Sequence, residues 1–174
     1  MTAVVGPAPG QHATTPVADA PADHAGASDA LRGPDGRPQL RIGLVTHRFA
    51  PSTGGVETHV EQLARALARA GHRPQVFTHD LGHGAPPVSR HQGVTVRRYR
   101  RLIAWDHGSV SPPLLQALRR GRIPLDVVHV HSYHDPVSAL AAGAWSGPLV
   151  VTPHYHRSSA DGLRDLMHLS LIHI

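Results

Sequence analysis

The stretch that decides the fold reads LRIGLVTHRFAPSTGGVETHVEQLARALARAGHRPQVFT and covers residues 40–78. It opens with an apolar run of the kind that forms buried parallel strands. A polar loop follows and ends in Gly54-Gly55. Apolar residues then recur at helical spacing as far as Gly71, a residue type favoured just past a helix C-terminus. Residues 74–78 return to a strand pattern, so the stretch predicts a strand, a glycine loop, a helix and a second strand.

The rest of the chain continues this alternation. Helices are predicted to begin at Ser111-Pro112 and Asp135-Pro136, because Ser and Asp cap helix N-termini and Pro suits the first turn. The Gly-, Pro- and His-rich residues 82–92 are predicted to form a loop. Three further apolar runs predict strands, the first of them near a sheet edge: residues 94–99, 127–131 and 149–152. The pattern indicates an α/β fold with an open, mainly parallel sheet.

The two ends of the chain depart from the pattern. Residues 1–39 are rich in Ala, Pro, Gly, Asp and Thr and have no repeating apolar face, so they are predicted to be a disordered tail. Residues 40–174 are predicted to form one folded domain. A helical pattern begins at 161–167, but the chain stops soon afterwards in the apolar residues 171–174. We therefore expect this domain to be incomplete at its C-terminus.

Composition excludes several classes of protein. The chain has 174 residues and no Cys, which rules out disulfides, thiolate metal sites and cysteine nucleophiles. It has no apolar stretch approaching the ~18–20 residues of a membrane span and no signal peptide pattern at its N-terminus. A cytoplasmic location is the expectation.

The formal charge is +5, and all 17 basic residues are Arg. Four of them surround Tyr99, and three more follow Leu118. These clusters are either a solvated surface or a contact for an anionic membrane or a phosphorylated acceptor. Nucleic-acid binding is not predicted, because the sequence contains no known binding motif.

Chemistry is expected at the carboxyl ends of the strands, where open parallel sheets bind ligands. Gly54 and Gly55 follow the first strand and allow close backbone approach, and the helix after them offers unpaired N–H groups to an anion. The dinucleotide fingerprint G-x-G-x-x-G and the Walker sequence are both absent. A simple tight turn and a phosphate contact both remain open for this glycine pair.

Histidines follow the later strands. His131 ends one strand, and His154 comes directly after another. An imidazole serves as a donor, an acceptor, a base or a metal ligand, or it is simply a satisfied structural side chain. A zinc hydrolase needs three or more convergent ligands, commonly with a carboxylate. Asp135 is available, but it already has a role as a helix cap. An anion-binding domain and a His-rich metallohydrolase are therefore both open interpretations.

Three segments together carry a resemblance to a known family. Residues 41–72, 126–131 and 148–154 resemble, in order and spacing, the N-terminal domain of family 4 glycosyltransferases. The most specific element is P-x-x-G-G-V-E at Pro51–Glu57. The resemblance implies the N-terminal half of a GT-B enzyme, with a Rossmann-like sheet and helices on both faces. It implies retaining transfer of a sugar from a nucleotide-sugar donor, with no metal and no other cofactor.

The resemblance also implies roles for residues on the donor side. The family's glycine loop approaches the donor diphosphate, which carries over to Gly54 and Gly55. The His of its T-x-H motif lies beside the donor sugar at the reacting centre, which carries over to His154. The chemistry agrees, because amides at a helix N-terminus stabilise the charge that develops on a departing diphosphate.

On the acceptor side the resemblance implies Glu57, Tyr155 and His131, facing a sugar, polyol or lipid-linked acceptor. The family's donor-binding domain with its E-x₇-E motif does not occur within the 174 residues. This chain alone is therefore predicted to transfer no sugar. A non-catalytic Rossmann-like domain that binds an anion, or a metallohydrolase, is the alternative.

Overall fold

The computed structural model describes Thr15–Pro16, Gly36 and residues 38–105, 108–119, 121–132 and 135–154. The strands within these residues are β1 (Thr15–Pro16), β2 (Arg41–Val45), β3 (Arg73–His79), β4 (Val88–His91), β5 (Val94–Tyr99), β6 (Ile103–Trp105), β7 (Gly108–Val110), β8 (Val127–His131) and β9 (Leu149–Thr152). The helices are α1 (Gly55–Arg69), α2 (Pro112–Arg119) and α3 (Pro136–Ala144).

Seven of these strands form one sheet in the order β1-β4-β5-β3-β2-β8-β9. Five of them, β5, β3, β2, β8 and β9, pair in parallel. β4 pairs antiparallel with β5, and β1 pairs antiparallel with β4. Numbered along the chain, the parallel strands lie in the order 3-2-1-4-5, which is the Rossmann arrangement. The connection direction reverses between β2 and β8, so a ligand is expected beyond their carboxyl ends. We call the two ends of these parallel strands the amino end and the carboxyl end of the sheet.

Helices cover both faces of the sheet, as predicted. Successive strand residues point to opposite faces, so Leu44 packs under α1 while Val45 packs under α2 and α3. In the next strand, Val76 likewise packs under α1, and Phe77 packs under α2 and α3. The apolar runs of the sequence therefore form two cores with the sheet between them.

The predicted helix boundaries are confirmed by their capping contacts. The N–H of Val137 donates to Asp135 Oδ1 at 2.7 Å, and the N–H of Leu114 approaches Ser111 Oγ at 3.4 Å. Gly71 follows α1 with φ at 88°, in the left-handed region that favours glycine. Local signals were sufficient here because caps act within one turn of the helix.

The prediction that residues 82–92 form a loop is wrong at its second half. Val88–His91 is a strand that pairs antiparallel with β5. A two-residue turn joins the two strands, and Gln92 and Gly93 both have positive φ, at 48° and 84°. Such turns match the twist of paired strands, which is why this short polar segment joins the sheet. The small β6–β7 hairpin was also not predicted.

Part of the predicted tail is in strand conformation. Thr15–Pro16 pairs antiparallel with β4, which would otherwise present unpaired backbone groups at the sheet edge. The rest of residues 1–35 and the predicted helix at 161–167 lie outside the described residues, so the domain boundaries stay predictions. None of the helices in the described part of the chain has the length and apolar character that a membrane crossing needs.

Candidate functional site

The loop between β2 and α1 is fixed at the carboxyl end of the sheet. The hydroxyl of Thr78 donates to the carbonyl oxygen of His47 at 3.2 Å, and Phe49 is buried in the core under α1. Arg98 donates from Nη2 to the carbonyl oxygen of Ala50 at 2.7 Å. These contacts hold the loop in place before any ligand arrives, which favours tight and specific binding.

One interpretation placed Arg98 in a solvated surface cluster around Tyr99, and the structure corrects it. The residue is only 8% exposed, and its guanidinium also donates to Ser89 Oγ at 2.7 Å. Burial lowers its pKa, and the nearby Asp80 opposes that effect. The adjacent Arg97 is half-buried and donates to Gln75 at 2.9 Å. These two arginines hold the sheet and its loop together.

Helix α1 begins openly at Gly54-Gly55. Gly54, at the N-cap position, has no side chain with which to cap the helix, and both glycines are exposed. The first N–H groups of a helix have no partner within the helix and can bind an anion. A Cβ built at Gly54 would collide with the carboxylate of Glu57, whereas one built at Gly55 meets no described atom within 4 Å. Glu57 therefore turns back towards the start of its own helix.

Three imidazoles come together beside this helix. Nδ1 of His131 lies 3.1 Å from Nε2 of His154. The ring of His59, from the second turn of α1, lies 4.8 Å from that of His154 and 5.8 Å from that of His131 between centroids. His154 has φ at 49°, in the left-handed region that residues other than glycine adopt rarely.

His131 is the most deeply buried of the three, with 0% of the residue exposed. Burial, followed by the nearby imidazoles led by His129, lowers the pKa of His131 to about 3. Its ring is therefore neutral at physiological pH. Its Nε2 has no hydrogen-bond partner among the described residues. A buried polar atom without a hydrogen-bond partner lowers the stability of the fold. In a native protein, a ligand or a functional role is one explanation for such an atom.

His129 supports the ring of His131. The two ring centroids are 4.0 Å apart, and Nε2 of His129 shares a 2.7 Å hydrogen bond with the hydroxyl of Thr152. Burial lowers the pKa of His129 as well. The bond to Thr152 ties β8 to β9 directly below the imidazole cluster.

A second polar group lies at the same end of the sheet. Nδ1 of His47 lies against Oδ2 of Asp135, whose other carboxylate oxygen caps α3. Next to it, Ser109 Oγ shares a 2.6 Å hydrogen bond with Nδ1 of His79. Burial, followed by the proximity of His47, lowers the pKa of His79 to about 4. This group connects the ends of β2 and β3 to the start of α3.

The structure brings together only part of the predicted site. His131 and His154 are in contact, and α1 joins them to the glycine pair through His59. Glu57 lies against Gly54, and Tyr155 lies outside the described residues. His59 was missed by the sequence analysis. A signal was present in the sequence, because His59 lies three residues after Val56 and four before Leu63. These apolar residues are on the same side of α1.

Comparison with known proteins identifies the family. The sequence pattern of Glycosyltransferase Family 4 matches residues 53–171, which is more than half of the chain. The chain belongs to this glycosyltransferase family. The resemblance carried by the glycine loop and the strand-end histidines is therefore confirmed at the level of the family.

Individual relatives are also glycosyltransferases. The phosphatidyl-myo-inositol mannosyltransferase of Mycolicibacterium smegmatis is 31% identical over 71% of this chain and 32% of its own length. A D-inositol 3-phosphate glycosyltransferase of a Mycobacterium species is 29% identical over 68% of this chain and 31% of its own length. The GDP-mannose:cellobiosyl-diphosphopolyprenol alpha-mannosyltransferase of Komagataeibacter xylinus is 32% identical over 63% of this chain and 27% of its own length. The chain spans about a third of the length of these curated relatives.

Among solved structures, the fold is similar to that of a sucrose-phosphate synthase from Thermosynechococcus elongatus. The TM-score is 0.50 at 17% identity, over 77% of this chain and 40% of the synthase. This similarity confirms the Rossmann-like α/β fold predicted from the sequence. The comparisons give no support to the two alternatives, a metallohydrolase and a non-catalytic anion-binding domain.

Proposed function

We propose that this chain is the acceptor-side domain of a retaining glycosyltransferase, which moves a sugar from a nucleotide-sugar donor to an acceptor. The observation that carries the proposal is the position of two features at the carboxyl end of one sheet. The glycine start of α1 and the imidazole of His154 are linked through His59, whose ring contacts that of His154. This is the end at which a Rossmann-like sheet binds its ligand.

On the donor side, the amides that follow Gly54 hydrogen-bond the diphosphate of the nucleotide sugar. Transfer breaks the bond between the anomeric carbon and a diphosphate oxygen, so negative charge grows on that oxygen. Fixed N–H groups and the positive end of the helix dipole stabilise this charge without reorganising. Bare glycine backbone suits the role, because a side chain at Gly55 would stand between the amides and the anion.

His154 contacts the donor sugar in this proposal. Its Nε2 already lies within hydrogen-bond distance of His131, so the two rings fix each other's orientation. A fixed imidazole can hydrogen-bond a sugar hydroxyl while positive charge develops on the sugar ring. We assign no metal and no other cofactor to the transfer step.

The acceptor lies on the side of Glu57, Tyr155 and His131. The names of the relatives mention inositol, phosphatidylinositol and a diphosphopolyprenol, and we extend this class to the present chain as a polyol or lipid-linked acceptor. Such an acceptor fits peripheral contact with an anionic membrane from the cytoplasm. Arg119 and Arg122 are exposed and supply charge for that contact. Flotation with anionic liposomes tests it, and binding that persists in high salt, or no binding, contradicts this part.

The experiment for the transfer joins this chain to the part of the M. smegmatis mannosyltransferase that lies beyond the segment matching this chain. Donor turnover is measured with an inositol-containing acceptor. We expect His154→Ala and Gly55→Val each to reduce turnover at least about 100-fold, the effect of losing one electrostatic contact in the transition state. A Cβ at Gly55 meets no described atom, so loss in that variant reports on the ligand and not on folding.

The matched control is Gln62→Ala, an exposed position on the same helix. Its turnover should stay within about twofold of the parent, as for most surface substitutions. If His154→Ala and Gly55→Val retain the turnover of this control, the site assignment is wrong.

A further inference from the structure

Three histidines from three separate elements converge at the carboxyl end of the sheet. His59 comes from α1, His131 from the last position of β8, and His154 from the loop after β9. Each ring offers one nitrogen, and these three nitrogens all lie within 4.8 Å of one another. The sequence analysis expected no metal ligand, and it had not recognised that His59 joins the other two.

We propose that His59, His131 and His154 form a three-histidine site for a Zn²⁺ ion. The set differs from the metallohydrolase weighed above, because its three ligands include no carboxylate. It also does not depend on the proposed sugar transfer. The inference rests on the positions of the three rings alone.

The geometry is close to that of a bound ion. Tetrahedral zinc with Zn–N bonds of 2.0–2.1 Å places its ligand nitrogens about 3.3 Å apart. Nδ1 of His131 and Nε2 of His154 are already 3.1 Å apart. His59 lies on the exposed side of the group, where rotation about its side-chain bonds can bring its nitrogen closer. Little else has to move.

The facing nitrogens of His131 and His154 provide a second reason. Nδ1 of His131, a residue that is 0% exposed, lies 3.1 Å from Nε2 of His154. Two imidazole nitrogens that face each other share either one proton or one cation. A cation between them removes the repulsion of their lone pairs.

The type of ligand selects the type of metal. Neutral imidazole suits Zn²⁺ and similar ions, whereas Mg²⁺ and Ca²⁺ prefer carboxylate and carbonyl oxygens. Three ligands leave a fourth position of the tetrahedron on the exposed side of His59. Water or an anion completes the zinc shell there.

The test measures metal binding by the untagged chain, without any donor or acceptor. Zn²⁺ and Co²⁺ are titrated by calorimetry and by the visible absorption of tetrahedral Co²⁺, and the melting temperature is followed with and without Zn²⁺. We expect one tight ion per chain and a rise in melting temperature. His59→Gln should weaken binding at least about 100-fold, because it removes one of three ligands.

The controls separate this site from general histidine binding, since the chain has 16 His. His59 is exposed, so its Gln variant should fold, which far-UV circular dichroism checks. His83→Gln, at an exposed loop position, should bind zinc like the parent. Equal affinity of the two variants, no saturable one-to-one binding, or an equal rise in melting temperature with Mg²⁺ would each overturn the proposal. Sugar transfer plays no part in these measurements, so a negative result leaves the transferase proposal intact.

Discussion

The two ends of the sheet differ in whether their polar side chains have hydrogen-bond partners. At the amino end, the guanidinium of Arg41 holds both carboxylate oxygens of Asp126, at 2.6 and 3.1 Å. The backbone of the two residues pairs as well, with Asp126 N donating to Arg41 O at 2.8 Å. At the carboxyl end, Nε2 of His79 and Nε2 of His131 are both buried without a partner among the described residues.

This difference suggests a division between residues that stabilise the fold and residues that are kept for a ligand. A paired charge at the amino end contributes to stability. An unpaired buried nitrogen lowers stability, and a ligand is one explanation for such a group in a native protein. The four predictions below test this division, starting with the largest expected effect.

The largest effect is expected at Arg98, a buried residue of the carboxyl end whose guanidinium is held by hydrogen bonds. Arg98→Met removes the donors to the buried hydroxyl of Ser89 and to the part-buried carbonyl oxygen of Ala50. We expect the free energy of unfolding to fall by about 3 kcal/mol, measured by urea denaturation. Because Ala50 belongs to the glycine loop, ligand affinity should also fall.

Arg97→Met is the matched control on the same strand. Arg97 is only half-buried and donates to a side chain that is itself part-exposed. Its loss should cost less than about 1 kcal/mol. Equal losses in the two variants would show that Arg98 has no special role in holding the loop.

The second prediction uses the pH dependence of His79. Its pKa is about 4 in the folded protein, because of burial and then the proximity of His47, while Arg101 lowers it and Asp135 raises it. In the unfolded chain it lies near ~6.5. The unfolded state thus binds more protons between these values, and stability falls as pH drops through this window. The loss from His79 at pH 5 should be about 2 kcal/mol relative to pH 7.

His79→Asn tests this assignment, because an amide can keep the hydrogen bond to Ser109 and cannot titrate. The difference in stability between pH 7 and pH 5 should shrink in this variant, as followed by chemical denaturation at each pH. His83→Asn, in an exposed loop, should leave the difference unchanged. An undiminished difference in His79→Asn would mean that His79 is not the titrating group.

Most of the fold could be predicted from the sequence, because its signals are local. Apolar runs define β2, β3, β8 and β9, and Asp135 and Gly71 define helix ends within a single turn. The strand at 88–91 was missed because VSRH has little apolar character and depends on its partner β5 for pairing. Its nearest local signal was the Gln92-Gly93 turn, which was taken for the end of a loop.

The candidate site was less predictable because it depends on contacts between distant parts of the chain. Position after a strand identified His131 and His154. The spacing of His59 placed it on the apolar stripe of α1, but its contact with the other two histidines depends on how α1 lies across the sheet. The contact of His47 with Asp135 spans 88 positions (135 − 47) for the same reason.

The third prediction concerns the paired charges of the amino end. Arg41→Met and Asp126→Asn, combined in a double-mutant cycle, should give a coupling energy of about 1 kcal/mol, since both side chains are about one-third exposed. Hydrogen bonding to Arg41 lowers the pKa of Asp126, although burial opposes this. The coupling should therefore persist above pH ~4, the pKa range of an unfolded Asp, and disappear as pH falls through the lowered value.

The pair Glu61 and Arg65 on α1, with 3.9 Å between charged atoms, provides the comparison. As an i,i+4 helix pair at this longer distance, it should give a coupling of about 0.3 kcal/mol. A coupling at Arg41 and Asp126 no larger than this would mean that the amino end is not stabilised by pairing.

The smallest change in stability is expected at His131, although this residue is fully buried. His131→Leu removes the unpartnered Nε2 together with the contact to His154, so a polar cost and a hydrogen bond disappear at once. The free energy of unfolding should stay within about 1 kcal/mol of the parent. Val130→Ala, the adjacent and equally buried position, should cost about 2 kcal/mol because it leaves a cavity. If His131→Leu costs as much as Val130→Ala, the imidazole stabilises the fold, and the contrast between the two ends of the sheet fails.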